Sequence, residues 1–443
     1  MAKDRPIESY VWQLLKATLS VVAVILYSRV LGATGRGSLS IYLLYVQVFL
    51  MLNELFVGSA LANWISQYGL RRFLPRITGI SLGMLALAGV LGYYSHVFQS
   101  PVVTIKPNVS NVNVGMEPLM ILGLLLSWSA VLIFQNIAAN FFQSRGEIIE
   151  KNQWMGAFEV LKVSGLLILI FGLSLPQTSL EYVLKSLVLS GVVWSFFCLF
   201  RLWRMGAFNP QSNTQENSIK HTWKEGIWAQ LGQIVLFFVY RIPLFMASYW
   251  MGDAAAGIFA NALLVIDTLW IFANTMGTVV HGRALLNRAP FKQEVITLRF
   301  VSFSFWGTVF LLLGILCIPA AFFAFIFGAD FLPMKGIVIQ AVPGILALSL
   351  FAPLGNLFHA RNQFKHLLFH HSIGLLMMLF FLFLVFQQIE SINFTHLIWS
   401  WNFALTTILL LHIFRRNFTK RRKLFFRVNT LLIYRLLRKR RVR

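Results

Sequence analysis

Apolar residues in this chain gather in runs of roughly twenty, separated by short polar segments, without the every-other-residue alternation of lipid-facing barrel strands. Twelve such runs can be drawn: 9–31, 38–66, 76–96, 117–143, 153–174, 181–203, 225–250, 255–282, 299–326, 336–358, 366–387 and 393–414. Run as a helix, about twenty residues cross roughly 30 Å of hydrocarbon. Inside lipid the backbone must satisfy its own hydrogen bonds, which a helix does within one segment. The pattern therefore predicts an all-α polytopic membrane protein with twelve transmembrane helices.

The runs are punctuated by a repeat. LGATGRGSLSIY, from Leu31 to Tyr42, is echoed by MGDAAAGIFANA, from Met251 to Ala262. Gly32 maps onto Gly252 and Gly37 onto Gly257 at one constant offset. A second echo pairs NFFQSRG from Asn140 with NLFHARN from Asn356 in an Asn-x4-Arg frame, at nearly the same offset. Two echoes at almost one offset predict two similar halves. The expected division is a six-helix bundle over 1–205, a cytoplasmic linker over 206–224, a second bundle over 225–415 and a basic tail over 416–443. The linker is the one polar, Pro- and Asn-containing inward segment, GAFNPQSNTQENSIK.

Composition agrees with the pattern. The chain is 58% hydrophobic and 12% charged, with a mean hydropathy of +0.71, too little charge to cover a soluble protein of this size. A net charge of +23 in a soluble protein would point to nucleic acid. Its distribution points elsewhere, and no nucleic-acid partner is expected. With the N-terminus placed in the cytoplasm, 31 Lys and Arg fall on the inward side, and only Arg29, Arg36, Lys106 and Lys335 fall outward. Lys162, Lys185 and Arg241 lie within spans. This positive-inside bias puts both termini in the cytoplasm. The tail beyond Arg415 is rich in Arg and Lys, with Leu424, Val428, Leu431, Leu432, Leu436 and Leu437 between them, as in an interfacial helix against anionic lipid. No cleavable signal is expected, since the first run is too long for one. Cys198 and Cys317 lie inside apolar runs and read as packing residues, with no disulfide framework and no metal site.

The repeated Gly-x4-Gly turn, IFGADF at Ile326–Phe331, and the exits FFQSRG and LFHARN together resemble the polysaccharide (O-antigen type) flippases of the multidrug/oligosaccharidyl-lipid/polysaccharide (MOP) exporter superfamily. The resemblance spans about residues 8 to 415. It implies two pseudo-symmetric six-helix bundles around a central cavity. It also implies a function: moving a glycan carried on undecaprenyl pyrophosphate from the inner to the outer leaflet of the bacterial cytoplasmic membrane by alternating access, for surface polysaccharide biosynthesis. A polysaccharide polymerase is a further candidate partner. One departure is that the position of Arg36 is Ala256 in the second copy, so any role of that arginine is not duplicated.

Ionisable groups inside hydrocarbon cost about 2.5–3.5 kcal/mol each on insertion scales, and so are functional candidates. Five stand out: Glu54, Glu159, Lys162, Arg241 and Asp267. Through the repeat, Gln47 corresponds to Asp267 and Glu54 to Asn274, and each polar pair is spaced seven apart on one helical face. Such stripes suit a cavity wall, where a carboxylate can accept a coupling H⁺ or Na⁺; an interhelical polar contact is the alternative. Arg241, on a face with Gln230, Gln233 and Ser248, offers the planar fork that binds pyrophosphate oxygens two at a time, with an ion pair to Asp267 or Glu54 as the alternative. Lys16, flanked by Gln13 and Ser20, could guide an anionic headgroup or snorkel to the interface. Arg29, at the outer end of span one, has the same two readings. Glu159 and Lys162, three apart, suit a local ion pair. Arg145 and Arg361 suit topology anchors. His370 and His371 lack partners at metal-ligand spacing. No P-loop is visible, so an ATP-driven transporter is not expected within this chain; a transporter is expected rather than an enzyme, with no catalytic residues and no bound cofactor.

Two other functions compete. A cation-coupled small-molecule exporter of the same superfamily should have a cavity dominated by carboxylates and aromatics, whereas Arg241 and Lys16 favour an anion. A membrane polysaccharide polymerase would need a substantial outward loop bearing catalytic groups. The longest here, His96 to Met116, offers only Lys106, with Glu117 at its edge.

Overall fold

The computed structural model describes residues 6–57, 70, 78–79, 81–83, 86, 118–145, 147–172, 180–207, 219–286, 289–388 and 392–415. The Arg71 loop, the outward loop 96–116, most of span three, most of the linker and the basic tail lie outside the described residues. The described elements are helical throughout. In chain order they are α1 (Pro6–Val57), α2 (Pro118–Ser144), α3 (Ile148–Leu167, running into a π turn at Ile168–Gly172) and α4 (Leu180–Arg204). Then come α5 (Ile219–Met251), α6 (Asp253–Leu286), α7 (Pro290–Cys317) and α8 (Ala320–Phe327), followed by a 3-10 turn at Ala329–Phe331. Last are α9 (Met334–Gln340), α10 (Val342–Ala360), α11 (Phe364–Gln388) and α12 (Phe394–Arg415). Among the described residues, ten stretches are long and apolar enough to cross a membrane.

The first two expected spans form α1 as two helices that meet at a kink at the single residue Gly32 (φ 62°, ψ −173°). That conformation lies outside the range of residues with a Cβ. Gly252, its partner in the repeat, also has a positive φ (86°) and separates α5 from α6. Equivalent glycines thus do equivalent work. Span nine differs from expectation: it divides at Ile318–Pro319 into α7 and α8, because Pro319 has no N–H to continue the ladder. Span ten divides at Ala341 into α9 and α10. There Asn402 of α12 repairs both frayed ends, its Oδ1 accepting from the Gly344 N–H (2.9 Å) and its Nδ2 donating to the Gln340 carbonyl (2.8 Å).

Two compact units result. Unit 1 holds Met1–Gln230, Gly252–Gly257 and Phe325–Phe331; unit 2 holds Leu231–Met251, Ile258–Ala324 and Leu332–Arg443. The division passes through α5 at Gln230. Unit 1 packs around Trp194, Phe158 and Phe142, all within 2% of full burial. Trp194 meets Phe158 edge-on (5.3 Å between centroids) and donates its indole N–H to the Trp154 carbonyl (2.8 Å). Cys198 belongs to this core, whereas Cys317 is exposed.

Segment 252–257 joins unit 1 through a second pair of repeat glycines. A Cβ on Gly37 would strike the Asp253 carbonyl and sit 2.9 Å from the Gly257 nitrogen. One on Gly257 would strike the Ala33 carbonyl and sit 3.0 Å from the Gly37 nitrogen. Only absent side chains permit this approach. In unit 2, Gly277 admits Asn356 and Ala352 of α10, Gly344 admits Trp401 of α12, and Gly374 admits Ile408 of the same helix. The outward faces carry large aromatics such as Phe196 (70% exposed), Phe310 and Phe414 (75% each). Hydrocarbon accommodates such faces and water does not.

Candidate functional site

The intramembrane charges separate by how completely their neighbours satisfy them. In unit 1, Lys162 and Glu159 pair at 2.6 Å on one face of α3, with both side chains largely enclosed. The Lys162 ammonium also lies 5.3 Å from the centre of the Phe158 ring. This local pair leaves little capacity for a ligand.

Arg29, read as either a headgroup contact or an interfacial anchor, donates to backbone carbonyls. Its Nε donates to the Ile326 carbonyl (2.8 Å) and its Nη2 to the Phe325 carbonyl. These are terminal carbonyls of α8, where a cation also complements the helix dipole. Asp330 completes the joint by accepting from the Ala33 N–H (3.4 Å), one residue past the Gly32 break. The IFGADF motif is therefore the segment that docks on the kink of α1. Arg36 is buried and donates from Nη1 to Ser40 Oγ (2.7 Å). Lys16 is exposed.

Glu54, half-buried on α1, is held differently. Asn136 Nδ2 of α2 donates to one carboxylate oxygen (2.6 Å) and Gln230 Nε2 of α5 to the other (3.1 Å). Among the described residues no cation pairs with it. Asn136 is itself oriented by Asn140, whose Nδ2 reaches both the Asn136 carbonyl (2.9 Å) and its Oδ1 (3.1 Å). Gln47, two turns away, is half-buried and makes no hydrogen bond among the described residues. The sequence had placed Glu54 and Gln230 on polar faces; neither their bond nor the part of Asn136 was legible there.

In unit 2, Arg241 of α5 meets Asp267 of α6, with Nη2 to Oδ2 at 3.6 Å and side chains 25% and 36% exposed. Close charge-assisted bonds run at roughly 2.7–2.9 Å, so this pair is loose. Arg361 offers a contrast. Its contact with Glu294 is also 3.6 Å, but its fork donates to Gln293 Oε1 (2.9 Å) and the Pro290 carbonyl (3.1 Å). Arg145 similarly donates to the Met205 carbonyl (2.9 Å). Arg241 makes no such bonds among the described residues. Beside it, Tyr240 stacks on Trp270 (5.0 Å) and approaches Trp401 (6.1 Å). The Tyr240 hydroxyl and both indole N–H groups are buried without a hydrogen-bond partner among the described residues. Gln233 is exposed and reaches His359 Nε2 (3.2 Å), while Asn274 is exposed on α6. The structure thus brings Arg241 to Asp267.

Comparison with family models and with curated proteins gives no match. Solved structures do match. The lipid II flippase MurJ, in an inward closed conformation, superposes with a TM-score of 0.67 at 13% identity, over 93% of this chain and 87% of that one. A multidrug resistance MATE family transporter of the MOP superfamily, facing inward, gives 0.60 at 14% identity over 94% and 96% of the two chains. A MOP superfamily transporter from Pyrococcus furiosus gives 0.58 at 15% identity over 92% of each. This protein is a multi-pass membrane protein with the fold of the MOP superfamily transporters.

Proposed function

We propose that this chain is a flippase that moves an undecaprenyl-pyrophosphate-linked oligosaccharide across the bacterial cytoplasmic membrane by alternating access, for surface polysaccharide biosynthesis. The observation that carries the reading is Arg241, an intramembrane guanidinium with one loosely placed carboxylate partner and its remaining donors uncommitted among the described residues. A pyrophosphate entering a low-dielectric interior needs such a fork, and Asp267 offers a resting counter-charge that the phosphate oxygens would displace. Similarity of fold to a structure named as a lipid II flippase supports a lipid-linked glycan as cargo. In this reading Gln233 assists Arg241, Lys16 guides the anionic headgroup, both termini face the cytoplasm, and the basic tail sits on anionic lipid.

A second reading has its own observation. Glu54 is a half-buried carboxylate with amide donors and no cationic partner among the described residues, a site that would suit an organic cation or a coupling H⁺ or Na⁺. It would make the chain a cation-coupled small-molecule exporter, or, with an ion in that place, the driver of the flippase.

Complementation of a deletion strain separates the two. Arg241→Ala, inserted in the membrane at normal level, should abolish surface-glycan display and leave lipid-linked glycan in the inner leaflet, while Arg241→Lys retains part of the display. Normal display with the Ala variant removes Arg241 from the mechanism. A deletion without any glycan phenotype supports the exporter.

A further inference from the structure

The contact between α5 and α6 within unit 2 leaves a hydrogen-bond donor unused beside its ion pair. Tyr240 and Arg241 are consecutive on α5, about 100° apart around the helix, and both meet α6. On α6, Asp267 and Trp270 are three residues apart and so stand one above the other on a single face. Arg241 reaches Asp267, and the Tyr240 ring stacks on Trp270 at 5.0 Å. A helical side chain leans over the turn before its own Cα. That lean carries the Trp270 ring, and Tyr240 with it, toward the turn that bears Asp267. The Tyr240 hydroxyl lies within electrostatic reach of both the Asp267 carboxylate and the Arg241 guanidinium.

Tyr240 is 8% exposed, and its hydroxyl has no hydrogen-bond partner among the described residues. In this state the hydroxyl is a liability. A buried donor left unpaired costs its desolvation, and phenylalanine fills the same space without that cost. The indole N–H groups of Trp270 and Trp401 share the condition but not the freedom. Each is fixed in the plane of its ring, and the Trp401 ring is held against α10, two of its carbons 2.7 and 2.9 Å from where a Gly344 Cβ would stand. A phenolic proton instead turns about the Cζ–O bond to meet an acceptor. The acceptor at hand is Asp267, whose one charged partner among the described residues is Arg241. Parting that pair strands a carboxylate inside the protein, which is far costlier than the loose contact it replaces.

We propose that Tyr240 is a positioning residue: when the Arg241 guanidinium turns to an anionic cargo, the Tyr240 hydroxyl donates to Asp267 in its place. The exchange breaks one ion pair and makes one hydrogen bond, and no proton changes owner. Tyr240 touches no cargo. It acts through Asp267, by lowering the cost of releasing the arginine. The link to cargo rests on the flippase reading; the exchange at Asp267 does not.

The test is a cycle of substitutions in the full-length protein in detergent, read as the unfolding temperature. In the parent, Tyr240→Phe removes a donor that has no partner, so the temperature should hold or rise by about 1 °C. In Arg241→Ala the carboxylate is open to the hydroxyl, and Tyr240→Phe should lower the temperature by about 3 °C. Adding Asp267→Ala to that background removes the acceptor and should abolish the loss. Trp270→Phe is the control, with the same effect whether Arg241 is present or absent. The same sign for Tyr240→Phe in both backgrounds overturns the proposal, as does a dependence on Arg241 that belongs to Trp270→Phe instead. If Arg241→Ala does not fold, Arg241→Gln, which is uncharged and keeps most of the volume, supplies the background. In liposomes carrying a lipid-linked pyrophosphate glycan, Tyr240→Phe should slow transfer about tenfold, the worth of one hydrogen bond to a charged group. Transfer at the parent rate also overturns the proposal. A parent that transfers nothing defeats the flippase reading, while the unfolding cycle, made without cargo, still decides the exchange.

Discussion

The approach of Gly37 to Gly257 makes a prediction whose sign, and not only its size, is diagnostic. Both glycines lie within helices, where alanine is ordinarily favoured over glycine by about 1 kcal/mol. Without a close contact, Gly→Ala at either position would therefore stabilise the protein. The structure says the reverse. The added carbon at Gly37 would lie 2.9 Å from the Gly257 nitrogen, and the reciprocal one 3.0 Å from the Gly37 nitrogen, with the carbonyls of Asp253 and Ala33 closer still. Comfortable contacts of this kind lie at roughly 3.5–4.0 Å, so two backbones must part by about 0.5 Å or more. No flexible side chain is there to yield. Overpacking of this kind costs about 1–3 kcal/mol, and the helix-propensity gain offsets only part of it. Because both variants relieve themselves by the same separation, the double variant should cost less than the two single costs together, by about 0.5 kcal/mol or more. Thermal unfolding of the purified protein in detergent, followed by tryptophan fluorescence, measures all three. Gly314→Ala is the control, since a Cβ there meets nothing within 4 Å and should be neutral or stabilising. If Gly37→Ala and Gly257→Ala are as stable as the parent, or add independently, the contact is not as described.

Three further outcomes are expected. Asn402→Ala strands the Gly344 N–H and the Gln340 carbonyl in a buried setting and should cost about 2–4 kcal/mol by the same unfolding assay, with a loss below 1 kcal/mol contradicting the double cap. Arg29→Ala should speed backbone hydrogen exchange over Phe325–Phe331 while leaving α10 unaffected; equal protection in both would show that Arg29 does not hold that segment. Glu54→Gln still accepts from Asn136 and should fold normally, but transport by it in proteoliposomes should no longer respond to an imposed H⁺ or Na⁺ gradient; an unchanged response would exclude Glu54 from coupling.

The sequence made the helices and the repeat legible because both are local signals. Apolar length predicts a membrane helix directly, and Gly32 and Gly252 could be matched by spacing before their positive φ values were seen. The same holds for Asn140 and Asn356, each of which donates to the carbonyl four residues back, at 2.9 Å. Pro319 carried a visible signal for the break in span nine. The break at Ala341 had a weaker one in Pro343, and its stabiliser, Asn402, lies on another helix. What stayed hidden is long-range and often backbone. The partners of Arg29 are carbonyls 296 and 297 residues away, and a carbonyl has no sequence identity. Glu54 takes its amides from 82 and 176 residues away, so its polar neighbours could be seen one helix at a time but not as a group. Arg241 and Asp267 were each visible as intramembrane charges, and only the fold selects Asp267 over Glu54 as the partner.

The most direct measurement is translocation itself. Purified protein is reconstituted in liposomes carrying a fluorescent undecaprenyl-pyrophosphate oligosaccharide, and a membrane-impermeant quencher reports how much has crossed between leaflets. The account predicts rapid loss of the protected fraction with the parent protein, protein-free behaviour with Arg241→Ala, and partial activity with Arg241→Lys. Transfer by Arg241→Ala at the parent rate, or no transfer by the parent protein while it moves a small organic cation, would contradict it.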